Sequence, residues 1–257
     1  SKMCNEQINE VAFVIGDFGE AVEKELLEVA KQLGAKGSIH YQTDPLGTAH
    51  AVLCAEKCLN GPVIVAFADT LFKANFQISD EVSGMIWVKQ IDDPSAFGVV
   101  QLNEKNEIVD FVEKPKEFVS DLAMIGIYFF KDGKALGREL NFLIDNDLQK
   151  GGEFQLPDAL RRLTEKGTTF LPGKVDAWLD CGNKKVTVET NKQVLGFDQD
   201  KGLDLIHPTV EIVNSVVIQP CFIGEGVKIS NSIVGPHTSI GDYSLIKNSV
   251  LTNCLIQ

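Results

Sequence analysis

Long apolar runs are missing from this chain. No stretch reaches the eighteen or so consecutive apolar residues that a membrane helix needs, so no membrane span is expected. The opening Ser1-Lys2-Met3-Cys4-Asn5-Glu6 is not a secretion signal, because no apolar segment follows the charge. Basic residues are in the minority: 24 Lys and Arg stand against 36 Asp and Glu, a net charge of -12. That field repels a phosphate polymer, so nucleic-acid binding is not expected, whereas a nucleotide can still bind if magnesium and a few local cations offset the charge. Closely spaced Cys or Cys/His pairs of the kind that hold zinc are also missing. The six cysteines, Cys4, Cys54, Cys58, Cys181, Cys221 and Cys254, are scattered. They read as reduced core thiols in a cytoplasmic protein.

Apolar matter, by contrast, is plentiful. Hydrophobic residues make up 44% of 257, which suffices for one large α/β domain and a small appendage. Residues 11–15 read as a buried strand, 16–19 as a turn and 20–33 as a helix. Val22, Leu26, Val29, Ala30 and Leu33 share one face of that helix, and Gly34 ends it. A short strand at 38–41, a helix at 48–59 and a continuous apolar run at 62–67 follow. The last has the pattern of a parallel strand buried on both faces. This rhythm predicts βαβ units and a parallel sheet. Further strands are predicted at 84–88, 97–102, 108–112 and 124–130, and helices at 131–148, 156–166 and 183–195.

The pattern changes after about Pro208. Asn-Ser recurs at 214, 231 and 248, a period of 17, and Val217, Val234 and Leu251 keep it, as do Ile223 with Ile240 and Ile229 with Ile246. Within a repeat these aliphatics are six apart, as the sides of a triangular coil require, which predicts a parallel β-helix. The division expected is an α/β domain over 1–205 and the start of a repeat domain over 206–257. The last coil stops at Gln257 partway round. An open coil end exposes a sheet edge, so a continuation or a contact with another subunit is expected there.

Four stretches carry chemistry. In 41–50, Gln42 offers an amide that could pair with a base edge. Gly47-Thr48 opens a helix with free N–H groups, although Thr48 could equally be a plain helix cap. Asp69 follows the apolar strand at 62–67, where open sheets bind ligands and where a carboxylate suits magnesium; a turn-forming Asp is the alternative. Lys114, in Phe111-Val112-Glu113-Lys114-Pro115, could hold a phosphate as a point charge, or be one half of an exposed Glu-Lys pair. Asp180, in Trp178-Leu179-Asp180-Cys181-Gly182, supplies a second carboxylate before a helix. Two such Asp residues would suit one divalent ion.

In this order the stretches resemble the sugar-1-phosphate nucleotidylyltransferases, notably the glucose-1-phosphate thymidylyltransferases and their uridylyl relatives, over roughly residues 11–195. The resemblance implies a Rossmann-like α/β fold with a mixed, mostly parallel sheet of the nucleotide-diphospho-sugar transferase type, followed by a short left-handed β-helix. It implies that Gln42, Pro45, Gly47 and Thr48 form the nucleobase loop, that Asp69 and Asp180 hold Mg2+, that Gly98, Glu113 and Gly126 line the sugar site and that Lys114 meets the sugar phosphate. The implied substrates are dTTP or UTP and a sugar 1-phosphate, glucose 1-phosphate by default. A homo-oligomer is expected, with the coils as its contact.

The departures from the family pattern are specific. Its first strand and its glycine-rich, Arg- and Lys-bearing triphosphate loop have no counterpart here, so residues 1–257 alone are expected to turn over poorly. Ala68 stands where Gly is usual, and Cys181 and Asn183 where Thr is common. A catalytically silent sugar-nucleotide-binding subunit is the rival expectation, and acyl transfer with His237 as base a more distant one.

Overall fold

The computed structural model describes residues 8–74, 78 and 81–257. Cys4 and the rest of the opening segment discussed above lie outside them. The chain forms two compact units, one of Ser1–Phe67 with Phe72–Trp178, the other of Ala68–Leu71 with Leu179–Gln257.

In the first unit, β1 (Glu10–Ile15) pairs in parallel with β2 (Lys36–Tyr41), and α1 (Glu20–Gln32) makes the crossover. This is the βαβ unit that the sequence predicts. Gly37 brings α1 close: a Cβ there would lie 2.8 Å from Leu27 Cδ2 and 3.0 Å from the buried Ala30. The remainder of the predicted apolar face does not follow it inward, since Val22, Val29 and Leu33 are exposed. The next helix, α2 (Thr48–Cys54), is shorter than its apolar pattern, because Ala55 leaves helical geometry and Glu56–Cys58 continues as a 3-10 turn.

A six-stranded sheet follows. Its strands are β3 (Val63–Ala66), β5 (Gly84–Gln90), β6 (Gly98–Leu102), β7 (Ile108–Glu113), β8 (Leu122–Phe130) and β9 (Phe170–Lys174), in the spatial order β3-β8-β5-β9-β7-β6. It is mixed. β5 and β9 run in parallel, while β3 with β8, β5 with β8, β6 with β7 and β7 with β9 are antiparallel. The apolar run at β3 therefore has an antiparallel partner, contrary to expectation: continuous hydrophobicity reports burial on two faces, not strand direction. Strand β9 escapes sequence reading because Pro172 and Gly173 interrupt it. Its Gly173 has a reason, since a Cβ there would lie 2.7 Å from the Trp87 ring.

Helices α3 (Gly133–Asp145) and α4 (Leu156–Glu165) cover this sheet with Leu136, Leu140, Leu143, Leu156, Leu160 and Leu163. The Phe170 ring stands edge-on to Phe111 and Phe130 at 5.9 Å each, a preferred aromatic geometry. One carboxylate enters this packing. Glu139 is buried and accepts from Arg162 Nε at 2.9 Å and from Lys166, so its charge is paired.

In the second unit, α5 (Lys184–Asp200) starts at Asn183, whose side chain accepts from the N–H groups of Lys185 and Val186. Beyond it lie nine short strands: β11 (Glu211–Val213), β12 (Val216–Val217), β13 (Cys221–Ile223), β14 (Lys228–Ser230), β15 (Ile233–Val234), β16 (Thr238–Ile240), β17 (Leu245–Lys247), β18 (Val250–Leu251) and β19 (Cys254–Ile256). They form three small parallel sheets, β11-β14-β17, β12-β15-β18 and β13-β16-β19. Each strand pairs with its equivalent 17 residues on, as in Ile212↔Ile229 and Val216↔Ile233, until the final pairing of β16 with β19, where Thr238 meets Cys254 and the offset drops to 16. Ile223, Ile229, Val234, Ile240 and Ile246 form a common core. Asn214, Asn231 and Asn248 turn each repeat at φ 48–50°, a left-handed geometry that Asn tolerates. Ser215 and Ser232 accept from the N–H one repeat later at 3.0 and 3.1 Å.

The five described cysteines are free thiols, and of these only Cys221 is buried. The others are half-buried, not core, and Cys58 Sγ lies 3.6 Å from His40 Nε2.

Candidate functional site

The loop after β2 is held by backbone bonds to a distant segment. Phe154 N–H donates to Leu46 O at 2.8 Å and Ala49 N–H to Phe154 O at 2.9 Å. Gly47 has φ 106° and ψ 178°, a region open essentially to glycine alone, and it caps α2. Thr48 is thus the first helical residue and not the cap; its hydroxyl accepts from Leu156 N–H at 2.9 Å, which fixes the start of α4. Within the loop, Gln42 Nε2 donates to Gly47 O at 3.1 Å and meets His50 Nδ1 at 3.1 Å. Pro45 is exposed beside it.

A second group lies at the start of β6, the end of β7 and the middle of β8. Gly98 faces Glu113 so closely that a Cβ on it would lie 2.7 Å from Glu113 Oε2 and 2.5 Å from Met124 Cε. Gly126, buried within β8 at φ 84°, accepts from Phe67 N–H at 3.0 Å. Lys114 is exposed at φ 42°, its N–H donating to Phe97 O at 3.1 Å. Burial pushes the Glu113 carboxyl above its ordinary range; Lys114 opposes that shift, and the negative charges of Asp158 and Glu153 add to it. Tyr128 is buried close by, and burial together with Glu113 holds its phenol protonated. Glu153 and Asp158 are site neighbours that sequence reading passes over: Glu153 lies in the connection between two predicted helices, and Asp158 in the first turn of the second.

A raised carboxyl pKa means that the native state holds the proton more firmly than the unfolded chain. Stability from Glu113 is therefore full below the unfolded pKa and is lost as the pH rises through the folded value. Glu113→Gln should raise the thermal midpoint at neutral pH, and this gain should shrink to nothing at acid pH. Melts from pH 4 to 8 check this, and a gain of equal size at every pH would contradict it.

The two predicted metal residues meet. Asp69 lies in the turn between β3 and β4 (Thr70–Lys73), and Asp180 ends β10 (Ala177–Asp180), which pairs with β4. Cys181 N–H donates to Asp69 O at 2.8 Å, locking the two turns together. A point at the Cβ position of Gly182 lies 3.1 Å from Asp180 Oδ1 and 3.4 Å from Asp69 Oδ2, so both carboxylates converge there. Asp180 Oδ1 accepts from Gly182 N–H at 2.8 Å, and Thr190 Oγ1 donates to Asp180 O at 2.6 Å. Among the described residues neither carboxylate has an ion-pair partner. Two converging carboxylates without a counter-charge form a donor set that fits a hard divalent cation. With two described carboxylates as its protein ligands, such an ion would complete its shell from phosphate and water, as magnesium does.

Residues 1–196 match the nucleotidyl transferase family. The chain is 29% identical to glucose-1-phosphate thymidylyltransferase of Streptomyces antibioticus, over 94% of this chain and 72% of the relative. It is 28% identical to the mannose-1-phosphate guanylyltransferase catalytic subunit beta of Drosophila melanogaster, over 85% of this chain and 59% of the relative. Among solved structures, a UDP-glucose pyrophosphorylase complexed with UDP-glucose superposes with a TM-score of 0.59 at 22% identity, over 74% of this chain and 81% of that one. At that identity the likeness concerns the fold alone.

Proposed function

We propose, for a chain that belongs to the sugar-1-phosphate nucleotidylyltransferases, the enzymes that form nucleotide sugars, that the nucleotide is dTTP or UTP, the sugar phosphate glucose 1-phosphate and the metal Mg2+. The observation that carries this reading is the convergence of Asp69 and Asp180 about Gly182. The reaction is an in-line displacement. An oxygen of the sugar phosphate attacks the α-phosphorus, that P–O bond forms, and the bond to pyrophosphate breaks with its electron pair leaving on pyrophosphate. A phosphate monoester is already ionised, so no general base is required. A divalent ion held by Asp69 and Asp180 would offset the negative charge gathered on the phosphates. Lys114 orients the attacking phosphate, Glu113 accepts hydrogen bonds from sugar hydroxyls, Gly98 and Gly126 line the sugar site, and Gln42, Pro45, Gly47 and Thr48 take the base.

The repeats of 206–257, with three short parallel sheets around one aliphatic core, support a left-handed parallel β-helix appended to a catalytic domain over 1–205. In this reading the coils serve subunit contact in a cytoplasmic homo-oligomer. The test, made in the full-length protein, is pyrophosphate release with each of dTTP, UTP, GTP and ATP against glucose 1-phosphate and mannose 1-phosphate, with and without Mg2+. Turnover confined to dTTP or UTP with glucose 1-phosphate, and lost on chelation, is expected. A preference for GTP with mannose 1-phosphate would replace both substrate assignments.

A further inference from the structure

Gln42 can turn only one end of its amide outward, and two neighbours decide which. Its Nε2 lies 3.1 Å from Gly47 O and 3.1 Å from His50 Nδ1. A backbone carbonyl can only accept, so the atom facing Gly47 is the NH2; the flipped amide would set two oxygens against each other. The second N–H then goes to His50 Nδ1, which must be bare, so the neutral His50 ring carries its proton on Nε2. Both donor hydrogens of Gln42 are thereby used inside the loop. Its Oε1 makes no hydrogen bond among the described residues, and the side chain is only half-buried.

We propose that His50 is a positioning residue for base selection: it locks the Gln42 amide so that an acceptor, and no donor, meets the edge of the nucleobase. A free acceptor selects bases with a ring N–H at that edge, such as uracil and thymine, and also guanine. It disfavours cytosine, which presents a bare ring nitrogen in the same place, since two acceptors would then face each other unpaired. The inference rests on the reading of 42–49 as the nucleobase loop, and it adds a residue and a discrimination that this reading does not contain.

The probes are the nucleosides uridine and cytidine, titrated into the chain and followed by NMR at the loop amides, so that no phosphate contact enters. Uridine should bind about tenfold more tightly than cytidine, the scale of one mismatched hydrogen bond. In His50→Leu, which offers no acceptor, that ratio should fall towards one while uridine binding weakens only a few-fold. A merely structural role would weaken both nucleosides alike and leave the ratio in place, and an unchanged ratio overturns the proposal. Equal binding of the two nucleosides to the unaltered chain also overturns it while leaving the loop reading intact. Binding of neither nucleoside at the loop removes the loop reading itself, and the proposal with it. The 15N pattern of the His50 ring in the unaltered protein is a check that needs no variant: a protonated Nε2 with a bare Nδ1 supports the lock, and the opposite tautomer overturns it.

Discussion

In the full-length protein, Asp180→Asn should cut pyrophosphate release by about 10³-fold or more, as expected when a carboxylate that holds a catalytic ion loses its charge, and should leave the thermal midpoint almost unchanged. The two halves of this expectation have separate causes. Asp180 Oδ1 accepts from Gly182 N–H at 2.8 Å, and an Asn side chain can still accept there. The bond from Thr190 Oγ1 goes to the backbone oxygen of Asp180 and is untouched. The negative charge is what disappears, and no described cation neutralises it now. Asp69→Asn should behave likewise, because its structural bond, from Cys181 N–H, also uses the backbone. If both carboxylates serve one ion, the double variant should be little worse than either single one, since groups that act as a unit are not additive. Binding of Mn2+, followed by its spin-resonance signal, gives a readout apart from activity and should weaken in each variant. Full turnover in either single variant would sink the assignment of that residue.

Gly47→Ala should be the more damaging change to the fold, by about 2–4 kcal/mol, the sum of backbone strain and a steric clash with groups that cannot move aside. At φ 106° and ψ 178° an L-residue is strained wherever it sits. Here the new Cβ would also lie 2.6 Å from Phe154 O and 2.9 Å from Phe154 N, both backbone atoms, in the segment that Leu46 and Ala49 already bind. To relieve the clash the loop must part from residue 154, and Gln42 loses its contact with Gly47 O. Nucleotide affinity should therefore fall along with stability. Gly19 is the control, with φ 82° and ψ 163° in the same region but nothing within 4 Å of its Cβ position. Gly19→Ala should show the strain alone. Equal losses in the two variants, measured by urea unfolding, would mean that the contact with Phe154 has no weight.

Much of the candidate site is legible locally, because each part of it is a short stretch at the end of a strand. Asp69 follows an apolar run, Asp180 precedes a helix, and Gly47-Thr48 opens another; sequence periodicity places all three correctly. The repeats are the clearest case, since one aliphatic at fixed spacing on each side of a coil suffices to set the register of β11 to β18. Elsewhere local pattern fails for identifiable reasons. The run at β3 says that both its faces are buried and nothing about its antiparallel neighbour. Strand β9 carries a Pro and a Gly that a pattern reading rejects, and the Trp87 ring requires the Gly. The apolar face of α1 reads as core, yet Val22, Val29 and Leu33 stay exposed, because periodicity identifies a face and not what lies against it.

By itself, then, the sequence determined the alternation of strands and helices, the repeat and its period, and the residue types able to bind phosphate, base and metal, since all of these depend on neighbours in the chain. Only the tertiary structure decided which of them meet. It set Asp69 and Asp180 about one point, placed Glu113 against Gly98 with Glu153 and Asp158 in its field, and turned the Gln42 amide between Gly47 and His50. These are contacts between residues distant along the chain or across a turn, and the distances, burial and hydrogen-bond direction that make them chemistry arise only when the segments pack.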